Sequence, residues 1–105
     1  MDAICNCADI PVGEARSFKR PEAGAVLVVH LAGGRFLAYE DRCTHFGVPL
    51  GVTRDYRYVD GGDIVCQVHY ARYAVEDGRC LRGECNGQGL RPVRVAVIGG
   101  KVYLA

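Results

Sequence analysis

Two short cysteine–histidine motifs contain the residues of this chain best suited to chemistry. The first is Cys43-Thr-His45 and the second is Cys66-Gln-Val-His69. A cysteine and a histidine two or three residues apart in a bent loop can both face one metal centre, so the motifs together offer two thiolates and two imidazoles. Four ligands of these kinds suit a zinc ion or a [2Fe-2S] cluster. The spacing therefore predicts that Cys43, His45, Cys66 and His69 bind a metal centre.

The residues that flank the motifs narrow this choice. The stretch Cys43-Thr-His45-Phe-Gly47-Val-Pro-Leu50, followed by the second motif and by Tyr73, closely resembles the two cluster loops of Rieske proteins. The resemblance covers nearly the whole chain and indicates a Rieske-type ferredoxin. It implies one [2Fe-2S] cluster, with both cysteines on one iron and both histidines on the other. Neutral imidazoles leave the cluster less negative than four thiolates would, which raises its reduction potential.

The resemblance also implies a function. Similar stand-alone proteins are the ferredoxin components of bacterial aromatic-ring-hydroxylating dioxygenase systems, which carry electrons from a flavin-containing NAD(P)H reductase to a terminal oxygenase. No acid, base or nucleophile suited to catalysis accompanies the motifs, so we expect an electron carrier with no catalytic residues. Six side chains around the motifs would form an apolar contact rim for these partners, or would equally serve as loop packing: Phe46, Val48, Pro49, Leu50, Gln67 and Tyr70.

The gap between the motifs departs from the family pattern. Twenty residues separate His45 from Cys66, a few more than the family commonly has. The excess falls in the charged, tyrosine-bearing stretch 53–60, which Gly61-Gly62 follows. We predict a longer surface hairpin there, because extra loop length costs a fold little entropy.

Two further departures bear on the reduction potential. In high-potential relatives a disulfide bridges the two loops, but the matching positions here are Val48 and Val68. Those relatives also place a serine near the cluster sulfurs where this chain has Ala71, although Tyr73 is kept. Fewer donors to sulfur stabilise the reduced cluster less, so we predict a potential in the lower part of the roughly −150 to +300 mV Rieske range.

The other four cysteines have simpler interpretations. Cys5 and Cys7 lie in a short strand-like segment, and we expect ordinary packed thiols there. Cys80 and Cys85 lie near the position of a third loop that shields the cluster in Rieske proteins, with Glu84 where that loop usually has proline. We expect two packed thiols here as well. A disulfide, which a reducing cytosol opposes, and a catalytic thiol are the alternatives.

Short apolar runs separated by glycines and charges predict an all-β fold. The resemblance specifies it as a Rieske-like antiparallel β-sandwich with a small cluster-binding subdomain. We expect one domain over 1–105, with a base formed by 1–41 and 93–105 and the cluster-binding subdomain over 42–92. His30 lies within an expected strand, so we interpret it as a strand side chain and not as a ligand. The predicted strands cover 25–31, 35–39, 64–68, 71–75, 93–98 and 102–104.

Composition limits the possible partners. A net charge of +1 over 105 residues provides no strong field for nucleic acid. The longest apolar run, 25–29, is too short to cross a bilayer, and no signal segment is apparent. We therefore expect a cytoplasmic monomer that binds neither nucleic acid nor membrane, and whose partner proteins bind transiently.

Three alternative functions remain open at this stage. The same fold occurs in the small subunit of assimilatory nitrite reductases, often without a complete cluster site, and the four ligands here argue against that class. A structural zinc module would use the same four side chains to hold an ion tetrahedrally. A redox sensor is the third, and no feature of the sequence favours it.

Overall fold

The computed structural model describes residues 3–20, 24–44, 48–51, 56–68, 70–83 and 88–105. Within these ranges the regular structure consists of eleven β-strands and one short 3₁₀ helix, Cys7–Asp9, which confirms the predicted all-β class. In chain order the strands are β1 (Ala3–Asn6), β2 (Ala15–Arg20), β3 (Gly24–Leu31), β4 (Arg35–Glu40), β5 (Val59–Asp60), β6 (Asp63–Val65), β7 (Arg72–Ala74), β8 (Cys80–Arg82), β9 (Pro92–Val93), β10 (Val95–Ile98) and β11 (Lys101–Leu104).

The strands form three antiparallel sheets. One has the order β1-β11-β10, the second β2-β3-β4-β9 and the third β5-β6-β7-β8. The first two sheets use strands from both ends of the chain, whereas the third is built entirely from the middle of the sequence. Both predicted cysteine–histidine motifs are connected to the third sheet. The first precedes β5, and the second lies between β6 and β7.

Strand β3 is the centre of the core because it is buried on both faces. Alternate strand residues point to opposite faces, so Leu27 and Val29 enter one apolar cluster while Val26 and Val28 enter the other. The second cluster contains residues of the β1-β11-β10 sheet. The first contains residues of the third sheet together with Cys43 and Cys66. The sandwich core therefore continues without interruption into the end of the molecule that bears the motifs.

Diglycine turns close the hairpins. Gly61-Gly62 joins β5 to β6, and Gly99-Gly100 joins β10 to β11, each between directly paired strand ends. All four glycines have positive φ, which the two-residue turns favoured by twisted hairpins require. Gly33-Gly34 also has positive φ and lies in the turn between β3 and β4. Gly33-Gly34 and Gly99-Gly100 therefore both form turns between paired strands.

The interpretation of 53–60 as a surface hairpin is wrong for its two described tyrosines. Tyr58 is buried, and Tyr56 packs edge-on against it with ring centroids 5.0 Å apart. The Tyr56 hydroxyl donates to the Val65 carbonyl (2.7 Å). Gly51 makes room for both rings, since a Cβ there would lie 2.6 Å from the Tyr56 ring and 2.9 Å from the Tyr58 ring. The stretch therefore adds to the core, while 52–55 lie outside the described residues.

Two further side chains test predictions made from the sequence. His30 lies on β3, stacks on Phe36 at 4.1 Å between ring centroids, and places its Nδ1 2.6 Å from the Ile10 carbonyl oxygen. This confirms it as a strand side chain. Cys5 is a buried β1 residue, as expected, but Cys7 begins the 3₁₀ helix and is not part of a strand.

Burial gives Tyr39 a measurable pH signature. Its hydroxyl donates to the Val75 carbonyl (2.7 Å), and burial, with smaller contributions from the negative charges of Asp77 and Glu76, raises its pKa to about 12. The neutral phenol therefore stabilises the fold below about pH 10, where an unfolded tyrosine begins to ionise, and this contribution is lost as the pH rises towards 12. We expect a late phenolate step in an absorbance titration at 295 nm that Tyr39→Phe removes. Six tyrosines titrating together near pH 10 would contradict this.

Candidate metal centre

The structure brings Cys43 and Cys66 into one apolar cluster. Both are buried and neither is disulfide-bonded. Cys43 follows the end of β4, and Cys66 directly follows β6. The other two predicted ligands, His45 and His69, lie outside the described residues. The structure thus assembles the thiol half of the predicted ligand set.

Backbone hydrogen bonds fold each loop around its cysteine. The Cys43 amide donates to the Val48 carbonyl (2.6 Å), which closes the first loop. In the second loop the Tyr70 amide donates to the Cys66 carbonyl and the Cys66 amide to the Ala71 carbonyl, both at 2.9 Å. Each cysteine is therefore held at the base of a tight loop.

The two loops are also bonded to each other. The Gln67 amide donates to the Leu50 carbonyl (2.6 Å), and the hydroxyls of Thr44 and Tyr73 are hydrogen-bonded at 3.1 Å. Thr44 lies between the first cysteine and histidine, while Tyr73 is fully buried on β7. These contacts fix the spacing between the loops, which a site built from both of them requires.

Tyr73 packs in the same apolar cluster as the two thiols. Burial is the main cause of its raised pKa. The two thiols and this phenol therefore share one buried region of the molecule. Two buried cysteines near one polar group, on interlocked loops, fit the two thiolate positions of a cluster.

The described residues account for only part of a complete ligand set. Within them, no three histidine, cysteine or carboxylate side chains converge as a metal site. This is the result expected when both predicted imidazoles lie outside the described ranges. The described residues supply two buried thiols. A cluster with mixed cysteine and histidine ligation requires two such cysteine ligands.

Asp41 is a residue of the site that the sequence analysis missed. It is the buried charged residue of the described chain. Its Oδ1 accepts from the Leu50 amide (2.8 Å) and its Oδ2 from the Ser17 hydroxyl (2.6 Å). One carboxylate therefore connects the first loop to strand β2 of the second sheet. Its position two residues before Cys43 was the sequence feature that could have indicated a role at the site. A lone aspartate at a strand end is usually solvent-exposed, however, so the sequence does not predict its burial.

A third segment packs against the second loop through Gly83. This glycine has a φ of 95°, and a Cβ there would lie 2.9 Å from the Ala71 Cα. Since Ala71 is fully buried and bonded to Cys66, the contact is between two pieces of backbone that cannot easily separate. The close approach packs this segment against the loop that contains Cys66.

Gly83→Ala is expected to destabilise the protein by about 3 kcal/mol or more, because it combines an unfavourable φ with a backbone clash. Gly62→Ala is the matched control, since Gly62 has a φ of 85° with open space around it. It isolates the backbone strain, about 1 kcal/mol. Urea unfolding measures both variants. Equal losses for the two would show that the Gly83 contact contributes nothing.

Cys80 differs from the prediction. It is disulfide-bonded, so the expectation of two packed thiols is wrong for this residue, and the disulfide alternative is confirmed for it. The four other described cysteines are not disulfide-bonded, so the bonding partner of Cys80 lies outside the described residues. The role predicted for Cys85 falls there too.

Exposure divides the six side chains that were interpreted either as a contact rim or as loop packing. Leu50 is fully buried in the core, so the packing interpretation is confirmed for it. Pro49 is exposed, Val48 and Gln67 are half-buried, and Tyr70 is 73% exposed. Phe46 lies outside the described residues. The tyrosine is thus the most prominent rim side chain that the structure describes.

A small open cleft of about 250 Å³ lies beside the first loop, next to Cys43 and Thr44. Its other walls include Arg42, Gln88 and Arg91, so it is polar as well as small. Sites for small organic molecules are usually about 300 to 1,000 Å³ and mostly apolar. The cleft therefore does not resemble a binding site for an aromatic substrate.

Comparisons with known proteins agree with this geometry. The family model described as Rieske [2Fe-2S] domain matches residues 2–98. The 3-phenylpropionate/cinnamic acid dioxygenase ferredoxin subunit of Escherichia coli K12 is 30% identical over 77 residues, which cover 73% of this chain and 67% of that protein.

Two solved structures share the fold along almost the whole chain. A chain in the complex of reduced oxygenase and oxidized ferredoxin in carbazole 1,9a-dioxygenase matches with a TM-score of 0.78 and 30% identity, over 99% of this chain and 91% of that chain. The Sphingomonas yanoikuyae B1 ferredoxin matches with a TM-score of 0.78 and 21% identity, over 98% and 95% of the two chains.

These findings confirm the Rieske-like fold and the predicted cofactor, one [2Fe-2S] cluster. The family match covers most of the sequence, including both predicted motifs and ten of the eleven described strands. The chain is therefore a member of the Rieske [2Fe-2S] domain family.

Proposed function

We propose that this protein is the ferredoxin component of an aromatic-ring-hydroxylating dioxygenase system. It carries single electrons from an NAD(P)H-dependent flavin reductase to the terminal oxygenase. The observation that carries the proposal is the pair of buried thiols on two interlocked loops, in a chain whose relatives are named as dioxygenase ferredoxin subunits. The role is that of an electron-transfer component and not of an enzyme.

Four residues are proposed as cluster ligands. Cys43 and Cys66 hold one iron, while His45 and His69 hold the other. When bound, the cluster supplies reversible one-electron chemistry. The protein keeps the two thiols away from water and fixes the spacing of the loops. We also propose that the domain has two parts. Residues 1–41 and 93–105 form a base, and residues 42–92 form the cluster-binding subdomain that it supports.

The surface beside the proposed cluster supports a carrier. The cleft beside Cys43 is small and polar, and the most exposed described side chain of the loops is Tyr70. A protein that delivers electrons needs a small surface close to its redox centre and a short-lived complex, which favours a limited interface. Nitrite reductase and zinc-module functions are not favoured by relatives that are dioxygenase ferredoxins.

The remaining properties of the proposal follow from this role. No helix among the described residues is long and apolar enough to span a bilayer. We propose a monomer in the cytoplasm, where NAD(P)H-dependent reductases find their cofactor. Both partner complexes are transient.

Reconstitution tests the proposed function. The chemically reduced protein is mixed without oxygen with the oxidised oxygenase components of carbazole 1,9a-dioxygenase and 3-phenylpropionate dioxygenase, and its reoxidation is followed by visible absorbance. We expect at least one oxygenase to reoxidise it in a saturable reaction, and reductase with NADH or NADPH to reduce it again. A protein that neither oxygenase reoxidises would contradict the proposal.

Ala71 provides a prediction about the midpoint potential. Its methyl group is fully buried beside the second loop, and it cannot donate a hydrogen bond to a cluster sulfur. We expect a potential in the lower part of the roughly −150 to +300 mV Rieske range, and a more positive value for Ala71→Ser. A redox titration of both proteins measures this. A wild-type value near the upper limit, or no shift in the variant, would show that this position does not set the potential.

A further inference from the structure

Tyr70 has a backbone conformation that suits glycine. Its φ is 63°, and it is the non-glycine residue with positive φ among the described residues, where ten glycines also have positive φ. For an L-residue this left-handed conformation costs roughly 1–2 kcal/mol because the Cβ crowds the following carbonyl. Tyrosine has no short polar side chain to offset that cost locally.

The second loop explains why the conformation is required. The Tyr70 amide donates to the Cys66 carbonyl, and the Cys66 amide donates to the carbonyl of the next residue, Ala71. The chain must therefore reverse direction within a few residues and return past the cysteine. The left-handed conformation at position 70 produces this reversal, and glycine would produce it with less strain.

The tyrosine side chain gains little burial in return. It is 73% exposed, and its neighbour Val68 on the same loop is 45% exposed. We call these two side chains the second-loop knob. An aromatic ring that strains the backbone and remains in solvent does not stabilise the isolated fold. Backbone outliers of this kind occur at sites where function requires the residue.

We infer that the second-loop knob is the docking anchor for the terminal oxygenase, an inference that rests on the proposed function. It fits a shallow apolar depression on the oxygenase surface that accepts the Tyr70 ring and contacts Val68. Tyrosine is enriched among the few interface residues that contribute most of the binding energy. The knob lies on the loop of Cys66, so the same contact that binds the partner brings it close to the cluster.

The oxygenase is the favoured occupant for a reason found in the comparisons. A chain that matches this one over 99% of its length comes from a complex of oxygenase and ferredoxin. Two other proteins could bind the knob. A second copy of the chain would form a dimer through it, and the reductase would make reduction of the ferredoxin depend on it. Both are separate outcomes of the test below.

Three variants separate docking from stability. Tyr70→Gly removes the ring and relieves the strain, Tyr70→Ala removes the ring and keeps the strain, and Tyr70→Phe keeps the ring. Ile98→Ala is the matched control, since Ile98 is 63% exposed on β10, in a sheet that packs on the apolar cluster without Cys43 and Cys66. Each holoprotein is assayed for reoxidation by oxygenase, reduction by reductase, midpoint potential, sedimentation and urea unfolding.

We expect Tyr70→Gly and Tyr70→Ala to raise the KM for oxygenase about tenfold, the effect of losing one anchor side chain. Tyr70→Phe and Ile98→Ala should stay near wild type, and the potential should not change. Tyr70→Gly should unfold at the same or a higher urea concentration than wild type, and Tyr70→Ala should not exceed Tyr70→Gly.

Each contrary result is decisive. Normal oxygenase kinetics in the glycine and alanine variants would overturn the inference while leaving the proposed function intact. A clear loss of stability in Tyr70→Gly would show that the ring is structural. A defect confined to reduction by reductase, or a concentration-dependent dimer that the variants abolish, would assign the knob to another occupant. A wild-type protein that no oxygenase reoxidises would reject the proposed function, and this inference with it.

Discussion

Replacing Cys43 or Cys66 by alanine is expected to yield a colourless protein that contains neither iron nor sulfide in stoichiometric amount. Each thiol is buried in the apolar cluster that joins the sandwich core to the loops. Among the other described cysteines, Cys5 and Cys7 belong to the second apolar cluster, and Cys80, which packs against the first, is disulfide-bonded. The loss of one thiolate leaves an iron with incomplete ligation that neighbouring residues cannot restore. Visible absorbance with iron and acid-labile sulfide analysis measures the result.

Cys7→Ala is the control for these variants. Cys7 is half-buried at the start of the 3₁₀ helix, so its loss removes a thiol from the protein but not from the candidate centre. This variant should keep full colour. His45→Ala and His69→Ala should lose the cluster as the cysteine variants do. A red-brown Cys66→Ala protein with full iron content would show that the ligands have been assigned incorrectly.

Asp41→Ala is expected to destabilise the protein by about 3 kcal/mol, since hydrogen bonds to a charged group contribute roughly 1.5–3 kcal/mol each. The carboxylate accepts from the Leu50 amide and from the Ser17 hydroxyl. Its removal leaves the buried Leu50 amide without this acceptor and releases the first loop from β2. We also expect faster loss of the cluster on storage, because Leu50 is bonded in turn to Gln67 of the second loop.

Two milder variants separate the contributions of Asp41. Ser17→Ala removes one of the two bonds and should cost about 1.5 kcal/mol. Asp41→Asn keeps one acceptor oxygen and should fall between Ser17→Ala and Asp41→Ala. Urea unfolding of the holoproteins gives the free energies. An Asp41→Ala protein as stable as Ser17→Ala would mean that the hydrogen bond from the Leu50 amide contributes nothing to the free energy of unfolding.

The parts of the fold that the sequence predicts well are those where one physical signal dominates. The apolar run of β3 can be buried only between two layers, and its residues do divide between two clusters. The Gly99-Gly100 turn is predictable because paired positive φ values exclude most other residues. The motifs were visible because their residue types are rare and their chemistry is specific.

The features that were missed depend on tertiary contacts. Strand β2, Ala15–Arg20, contains three basic residues, and it is tolerated as a strand because it lies at the edge of its sheet. Tyr58 is buried because Gly51, seven residues earlier, leaves space for its ring. Neither relation produces a periodic pattern along the chain, so local reasoning about apolar spacing does not detect it.

Asp41 and Tyr70 were difficult for different reasons. A carboxylate beside a strand end is normally solvated, and its burial becomes evident only when both of its donors are placed. The strain at Tyr70 is a property of the backbone, which the residue type alone does not reveal. Both belong to the loops that carry the proposed ligands, where local preferences are most often overridden by function.

The most direct test of the central claim is the electron paramagnetic resonance spectrum of the purified protein before and after reduction with dithionite. The mixed ligand set predicts a red-brown protein that is silent when oxidised. After reduction it should give a signal whose average g lies clearly below that of [2Fe-2S] clusters with four cysteine ligands. A colourless protein that retains zinc, or a reduced signal typical of four cysteines, would contradict cluster binding by Cys43, His45, Cys66 and His69.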